Sequence, residues 1–161
     1  MRFVVLLIAL TTSNLCTANE DQLVSKTIDS LVNMLSDSYS SEFERNVYEL
    51  EKNYMKAVFF TIEGFGGGNN WQRYLAIFQK SVKVNPEPPF EPIGEAKYRL
   101  LGYLVVAKDH TNSVDEEAFL YKSGKLKIPS ISLRHSNRNK KLNDIVINIK
   151  AHSLEVVSGI N

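Results

Sequence analysis

Apolar residues along the first third of the chain recur at steps of three and four. Leu23, Val24, Ile28, Leu31, Val32 and Leu35 form one such series, with Asp21, Lys26, Asp29 and Asn33 falling largely opposite. That spacing predicts an amphipathic helix over residues 19–37. After a polar break at Asp37-Ser38-Tyr39-Ser40, Ser41 and Glu44 have the spacing of a capping box. Phe43, Val47, Leu50 and Tyr54 then share a helical face, so a second, antiparallel helix is expected. Ala57-Val58-Phe59-Phe60-Thr61-Ile62 is apolar throughout and rich in strand formers, which predicts a short buried strand, with continuation of the second helix as the alternative. The glycine run at residues 64–68 ends it.

Asn69 or Asn70 is placed to cap a third helix, along which Trp71, Tyr74, Leu75, Phe78 and Val82 make a stripe. The stretch 83–94 carries four of the five prolines and reads as an extended surface connection. Beyond Gly94 the chain alternates. Residues 95–108 predict a strand around Tyr98, Leu100, Tyr103 and Val105, with Gly102 at a bulge. Residues 117–122 predict a shorter strand that turns at Ser123-Gly124. Pro129 separates Leu126 and Ile128 from Ile131 and Leu133, which lie in the opposite phase. After a polar, basic loop, residues 144–157 alternate again through Ile145, Ile147 and Ile149. The expected fold is therefore α+β: two N-terminal helices, a short strand, a third helix, then a curved antiparallel sheet of three to five strands.

The N-terminus changes what this domain is expected to be. Arg2, the apolar run from Phe3 to Leu10 and the small residues around Cys16-Thr17-Ala18 read as a cleavable signal peptide over residues 1–18. The run is too short for a membrane span, which takes ~20 apolar residues. The expected product is a secreted, extracellular chain, residues 19–161, folded as a single domain. Cys16 is the sole cysteine, so disulfides, thiolate metal sites and a cysteine nucleophile are not expected of that product.

With 19 basic and 18 acidic residues the charge is balanced overall, which argues against nucleic acid as a partner. Locally it is not balanced. Residues 122–141 hold Lys122, Lys125, Lys127, Arg134, Arg138, Lys140 and Lys141 and no acid. A solvated strand face and loop is the plain reading; a docking surface for anionic lipid or glycosaminoglycan, centred on Arg134, Arg138, Lys140 and Lys141, is the sharper one.

The residues offer little for catalysis. His110, His135 and His152 are the only histidines. Asp109 and His110 are adjacent on a predicted strand end, so their side chains are expected to diverge rather than form an acid/base pair. Metal-binding spacings and a serine-hydrolase elbow are absent, and no cofactor is expected.

The order of elements, with the hairpin Glu117-Ala118-Phe119-Leu120-Tyr121-Lys122-Ser123-Gly124-Lys125-Leu126-Lys127-Ile128-Pro129-Ser130-Ile131, resembles the nuclear transport factor two-like superfamily. In that superfamily a bent sheet wraps over three helices. Leu126 stands where an aromatic usually sits. The elongated takeout-like and mite group 7 lipid-binding proteins are a second resemblance. Both imply a cavity between helix and concave sheet, which in the first family sometimes holds an isomerase or dehydratase site. The resulting expectation is a secreted, non-catalytic protein that binds a small apolar molecule or a protein partner, with homodimerisation as a further option. Trp71, Tyr74, Phe78, Tyr98 and Tyr103 are the candidate ligand-binding residues, chosen by strand and helix phase.

Overall fold

The computed structural model describes residues 21–134 and 140–159. The signal-peptide expectation and Arg138 fall outside them. Among the described residues there is one α-helix, α1 (residues 21–35), and no described helix is long and apolar enough to cross a membrane. Everything else regular is strand, apart from one 3₁₀ turn at Phe65–Gly67.

Strands β1 (Ser41–Glu51), β2 (Met55–Glu63), β3 (Trp71–Val84) and β4 (Pro92–Lys108) run as an antiparallel meander. Strands β5 (Asn112–Val114) and β8 (Ser130–Ser132) complete that sheet in the order β1-β2-β3-β4-β5-β8. Strands β6 (Leu120–Lys122), β7 (Lys125–Ile128), β9 (Ile145–Lys150) and β10 (Ser153–Ser158) form a second antiparallel sheet, ordered β10-β9-β7-β6. The expected α+β layout with three helices and a single sheet is thus corrected to a mostly β fold, with one helix on the first sheet and a second sheet behind it.

Burial explains why the second and third helices are strands. The first sheet is the middle layer of three. On one face Val58, Phe60, Ile62, Tyr74, Ala76 and Phe78 pack against Val24, Ile28, Leu31 and Val32 of α1. On the other, Met55, Ala57, Phe59, Leu75 and Ile77 pack against Leu126, Ile128, Ile145 and Ile147 of the second sheet. A strand covered on both faces carries apolar residues at every position, and inside such a run positions three and four apart are apolar by necessity. That is why β3 imitates a helical stripe. In β1 the inward residues are Tyr48 and Leu50, which pack toward the second sheet, while Phe43 and Val47 are exposed. Glu44, expected in a capping box, instead pairs with Arg73.

The helix is held by its buried face and by two charged contacts. Burying each of its four core side chains contributes about 1.5–3 kcal/mol, which matters because a helix of this length is marginal in water alone. Arg45 of β1 donates to Asp29 Oδ1 at 2.6 Å and to Ser25 Oγ at 2.9 Å. Lys56 of β2 pairs with Asp21 nearer its start.

Several smaller expectations match. The strand expected over 95–108 is β4, although it starts at Pro92 and β3 runs to Val84, which shortens the expected 83–94 connection at both ends; its pairing with β3 shifts register between Leu100 and Gly102. A Cβ at Gly102 would sit 3.2 Å from the Leu154 side chain of β10, which lies across it, so Leu154 would have to give by a few tenths of an ångström to admit one. Ser123 and Gly124 both have positive φ in the β6–β7 turn. Pro129 lies between β7 and β8, where the chain crosses from the second sheet to the first. With no N–H to donate, it suits a position between ladders.

The glycine run is the β2–β3 connection and is tied to the end of α1. Asp37 accepts from the backbone N–H of Gly66 at 2.7 Å, and from those of Tyr39 and Ser40 at 3.0 and 2.8 Å. These bonds, led by Gly66, lower the Asp37 carboxyl from 3.8 to about 2. A carboxylate whose folded pKa is depressed stabilises the fold above its unfolded pKa, and that contribution is lost as pH falls through the folded value. The latch should therefore hold at neutral pH and release between about pH 4 and pH 2. Amide exchange at Gly66, corrected for its intrinsic rate, is expected to rise over that interval. Asp37→Asn should show the faster exchange already at pH 7; unchanged exchange in that variant would refute the latch.

Candidate functional site

A cleft opens on the helix side, between the first turns of α1 and the lower end of β4. There the β3–β4 pairing skips: Ser81 faces Lys97, whereas Lys83 faces Ile93, so residues 94–96 bulge out of the ladder. Gly94, at φ 78°, makes the bend with open space around it. The bulge and helix together wall a cleft of about 540 Å³. Volumes of ~300–1,000 Å³ are typical of small-molecule sites.

Two kinds of residue line this cleft. Leu23, Ile93, Tyr98 and Leu100 are apolar, and Leu23 and Ile93 are exposed. Lys83, Lys97 and Arg99 are cationic, against one carboxylate, Glu95. Further positive charge stands behind them. The Lys56 ammonium lies 5.0 Å and that of Lys80 5.7 Å from the centre of the Tyr98 ring. These cations are attracted to the ring's electron-rich face, so Tyr98 serves as a buried floor with ammonium groups around it.

The five aromatic residues chosen from the sequence do not act together. Tyr74 and Phe78 are buried in the core under α1, with Tyr74 stacked on Phe60 at 5.1 Å between ring centres. Burial raises the Tyr74 phenol above its ordinary range. Tyr98 is buried as well and is the one of the five that lines the cleft. Tyr103 is 40% exposed, opposite Ala76 in the β3–β4 ladder. Trp71 lines a separate groove with Arg73, Glu44 and Glu116. Sequence reasoning passed over Lys83, Lys97 and Arg99. Their signal was present as cations clustered on either side of a proline-rich turn, but only the bulge brings them to one opening.

The basic stretch is split. Lys127 is paired with Asp144 at 2.8 Å, which lowers the Asp144 carboxyl. Lys140 and Lys141 are exposed, while Arg134 lines a smaller cavity of about 210 Å³ with Val105, Thr111 and Leu142. His110, at φ 57°, is exposed, but its Nε2 lies 3.2 Å from Asp109 Oδ2, so the two side chains meet in a turn rather than diverging along a strand as expected; His152 is exposed in the β9–β10 turn. His135 lies outside the described residues. Among the described residues no group of three or more His, Cys, Asp or Glu side chains is arranged to hold a metal ion.

A second cluster surrounds Arg73, whose side chain is 7% exposed. Its guanidinium contacts Glu116, Thr61 and, at 2.7 Å, Glu44. Asn46 donates to Glu116 Oε2 at 3.2 Å. Tyr48 stands beside this network, its phenol raised by burial and then by the charges of Glu116 and Glu117. With its charge met on two sides, Arg73 works as a tie between β1, β3 and the 115–117 segment.

Comparison with known proteins finds no matching family profile, no matching curated protein and no matching solved structure. Neither resemblance drawn from the order of elements acquires a relative, and the three-helix layout behind the first is absent from the described residues.

Proposed function

We propose that this chain is an exported, non-catalytic binding protein that takes a small anionic amphiphile into the cleft between α1 and the bulged end of β4. The observation that carries the reading is the pairing of Leu23, Ile93 and Leu100 with Lys83, Lys97 and Arg99 around one 540 Å³ opening. An apolar chain would cover the exposed Leu23 and Ile93, and its acidic head would meet the cations. A neutral ligand would leave three positive charges crowded against a desolvating tail. Export rests on the N-terminal sequence pattern.

Calorimetric titration of the secreted protein with dodecanoate, dodecanol and dodecyltrimethylammonium tests this. Dodecanoate should bind about tenfold more tightly than dodecanol, a difference of ~1.4 kcal/mol, and the cationic amphiphile should bind least. Lys83 and Lys97 are exposed, so Lys83→Glu with Lys97→Glu should leave the fold intact and abolish the preference for the acid. Equal affinity for acid and alcohol, or a preference that survives the double reversal, would refute the reading.

A further inference from the structure

Strand β1 ends the first sheet, paired with β2 on one side and with no described strand on the other. Such an edge presents a row of backbone donors and acceptors to any chain that can align with it. Proteins commonly guard long edges with charge, and β1 has charges, but their order is particular. Between the register shifts near Glu42 and Glu51, residues 44–49 are regular. Val47, at the middle of the strand, is 52% exposed.

We infer that β1 is a self-recognition edge: two copies of this chain pair antiparallel through it, about a two-fold axis at Val47. The register follows from parity. A two-fold axis perpendicular to the joined sheet keeps each face on its own side, so opposed residues must be an even number of positions apart and the axis must pass through a residue. With the axis at Val47, Arg45 of one copy lies opposite Glu49 of the other, twice over, and Asn46 lies opposite Tyr48. Moving the axis one residue to Asn46 sets Glu44 against Tyr48 and leaves Arg45 facing Val47. Moving it to Tyr48 sets Glu49 against Val47. Only the central choice meets every charge in the regular segment's helix-side row with its opposite.

The helix-side row of β1 confirms which groups are available. Glu49 registers with Lys56, whose ammonium is turned to Asp21 and Tyr98. Arg45 keeps its bonds to Asp29 and Glu42 within its own chain, so in the dimer it would bridge carboxylates from both copies. An isologous contact of this kind closes on itself. It uses up the β1 edge of each copy and yields a continuous sheet of twelve strands from two six-stranded halves.

Cysteine crosslinking tests the axis directly, in the full chain carrying Cys16→Ser. Val47→Cys would face its own copy across the axis, where cross-strand Cα separations of ~4.5–5.5 Å suit a disulfide. Under mild oxidation it should form covalent dimer at least about tenfold faster than His152→Cys, an exposed control on the far sheet, because pairing raises the effective concentration. In sedimentation equilibrium the unmodified chain should show a weak, concentration-dependent dimer, and Glu49→Lys should shift it to monomer with the circular dichroism unchanged. Monomer up to millimolar concentration would overturn the inference. So would equal crosslinking at positions 47 and 152, or a dimer that Glu49→Lys does not weaken, since either means association elsewhere.

Discussion

Phe59→Ala is expected to cost about 3–5 kcal/mol of folding stability, the range for truncating a buried phenylalanine. Phe59 is fully buried in the second strand of the first sheet and faces the second sheet. Its ring meets Tyr48 edge-on at 5.8 Å and lies 6.4 Å from Phe119, which in turn meets Tyr48 at 5.2 Å. The three rings fasten the segment before β6 onto the first sheet. Removing the central one leaves a void bounded by two rigid strands, which have little freedom to collapse into it. Phe43 makes the informative control. It is 67% exposed on β1, so Phe43→Ala should change stability by less than about 0.5 kcal/mol. Urea unfolding of both variants reads the difference as a change in midpoint. Similar losses at the two positions would mean that β1 buries the face of a helix after all.

The second large effect is at Arg73. Arg73→Met should cost about 3–5 kcal/mol, because it leaves the enclosed Glu116 carboxylate without its cation. The Glu116 side chain is only 12% exposed, and its further bonds, from the Asn46 amide and the Tyr48 phenol, are to neutral groups. Adding Glu116→Gln to Arg73→Met should recover a substantial part of that loss, since the stranded charge is then gone. Glu44→Gln should cost little, as its side chain is half exposed and solvent already screens its pair. A double-mutant cycle from denaturant unfolding isolates the coupling between Arg73 and Glu116. Coupling near zero would dismiss the tie between the strands and the 115–117 segment.

How far the fold could be read in advance depended on which faces each element buries. The helix over residues 21–35 was legible because one face is core and the other water, so Val24, Ile28, Leu31 and Val32 stand out against polar neighbours. The strands after Gly94 were legible for the matching reason: Leu126 and Ile128 alternate with exposed Lys125 and Lys127. Strand β3 lies between two cores and loses alternation, so Trp71, Tyr74, Leu75 and Phe78 offered a helical spacing with no polar row to contradict it. Strand β1 misled differently. As an edge it exposes Phe43 and Val47, and these apolar positions stood in for a buried stripe. The site was less legible than the fold. Tyr98 was identified, but the cations around it come from three separate strands, and a bulge in strand pairing leaves no periodic trace.

The meander of β1 to β4 also sets the order in which this chain can take shape as it is synthesised. Every pairing in residues 41–108 joins neighbours in the sequence, so this part can zip together by short-range contacts as soon as it emerges. The strands that cover its rear face cannot: Leu126 and Ile128 come later, and Ile145 and Ile147 follow only near the end of translation. Until they arrive, Phe59, Leu75 and Ile77 form a ready-made oily wall facing water. A fragment ending near residue 110 should therefore recruit chaperones strongly, and the burden should fall sharply in one that extends past residue 150. The same geometry makes residues 120–128 and 145–158 a lid on an already built sheet, so their loss would release a sticky half-protein rather than an unfolded chain.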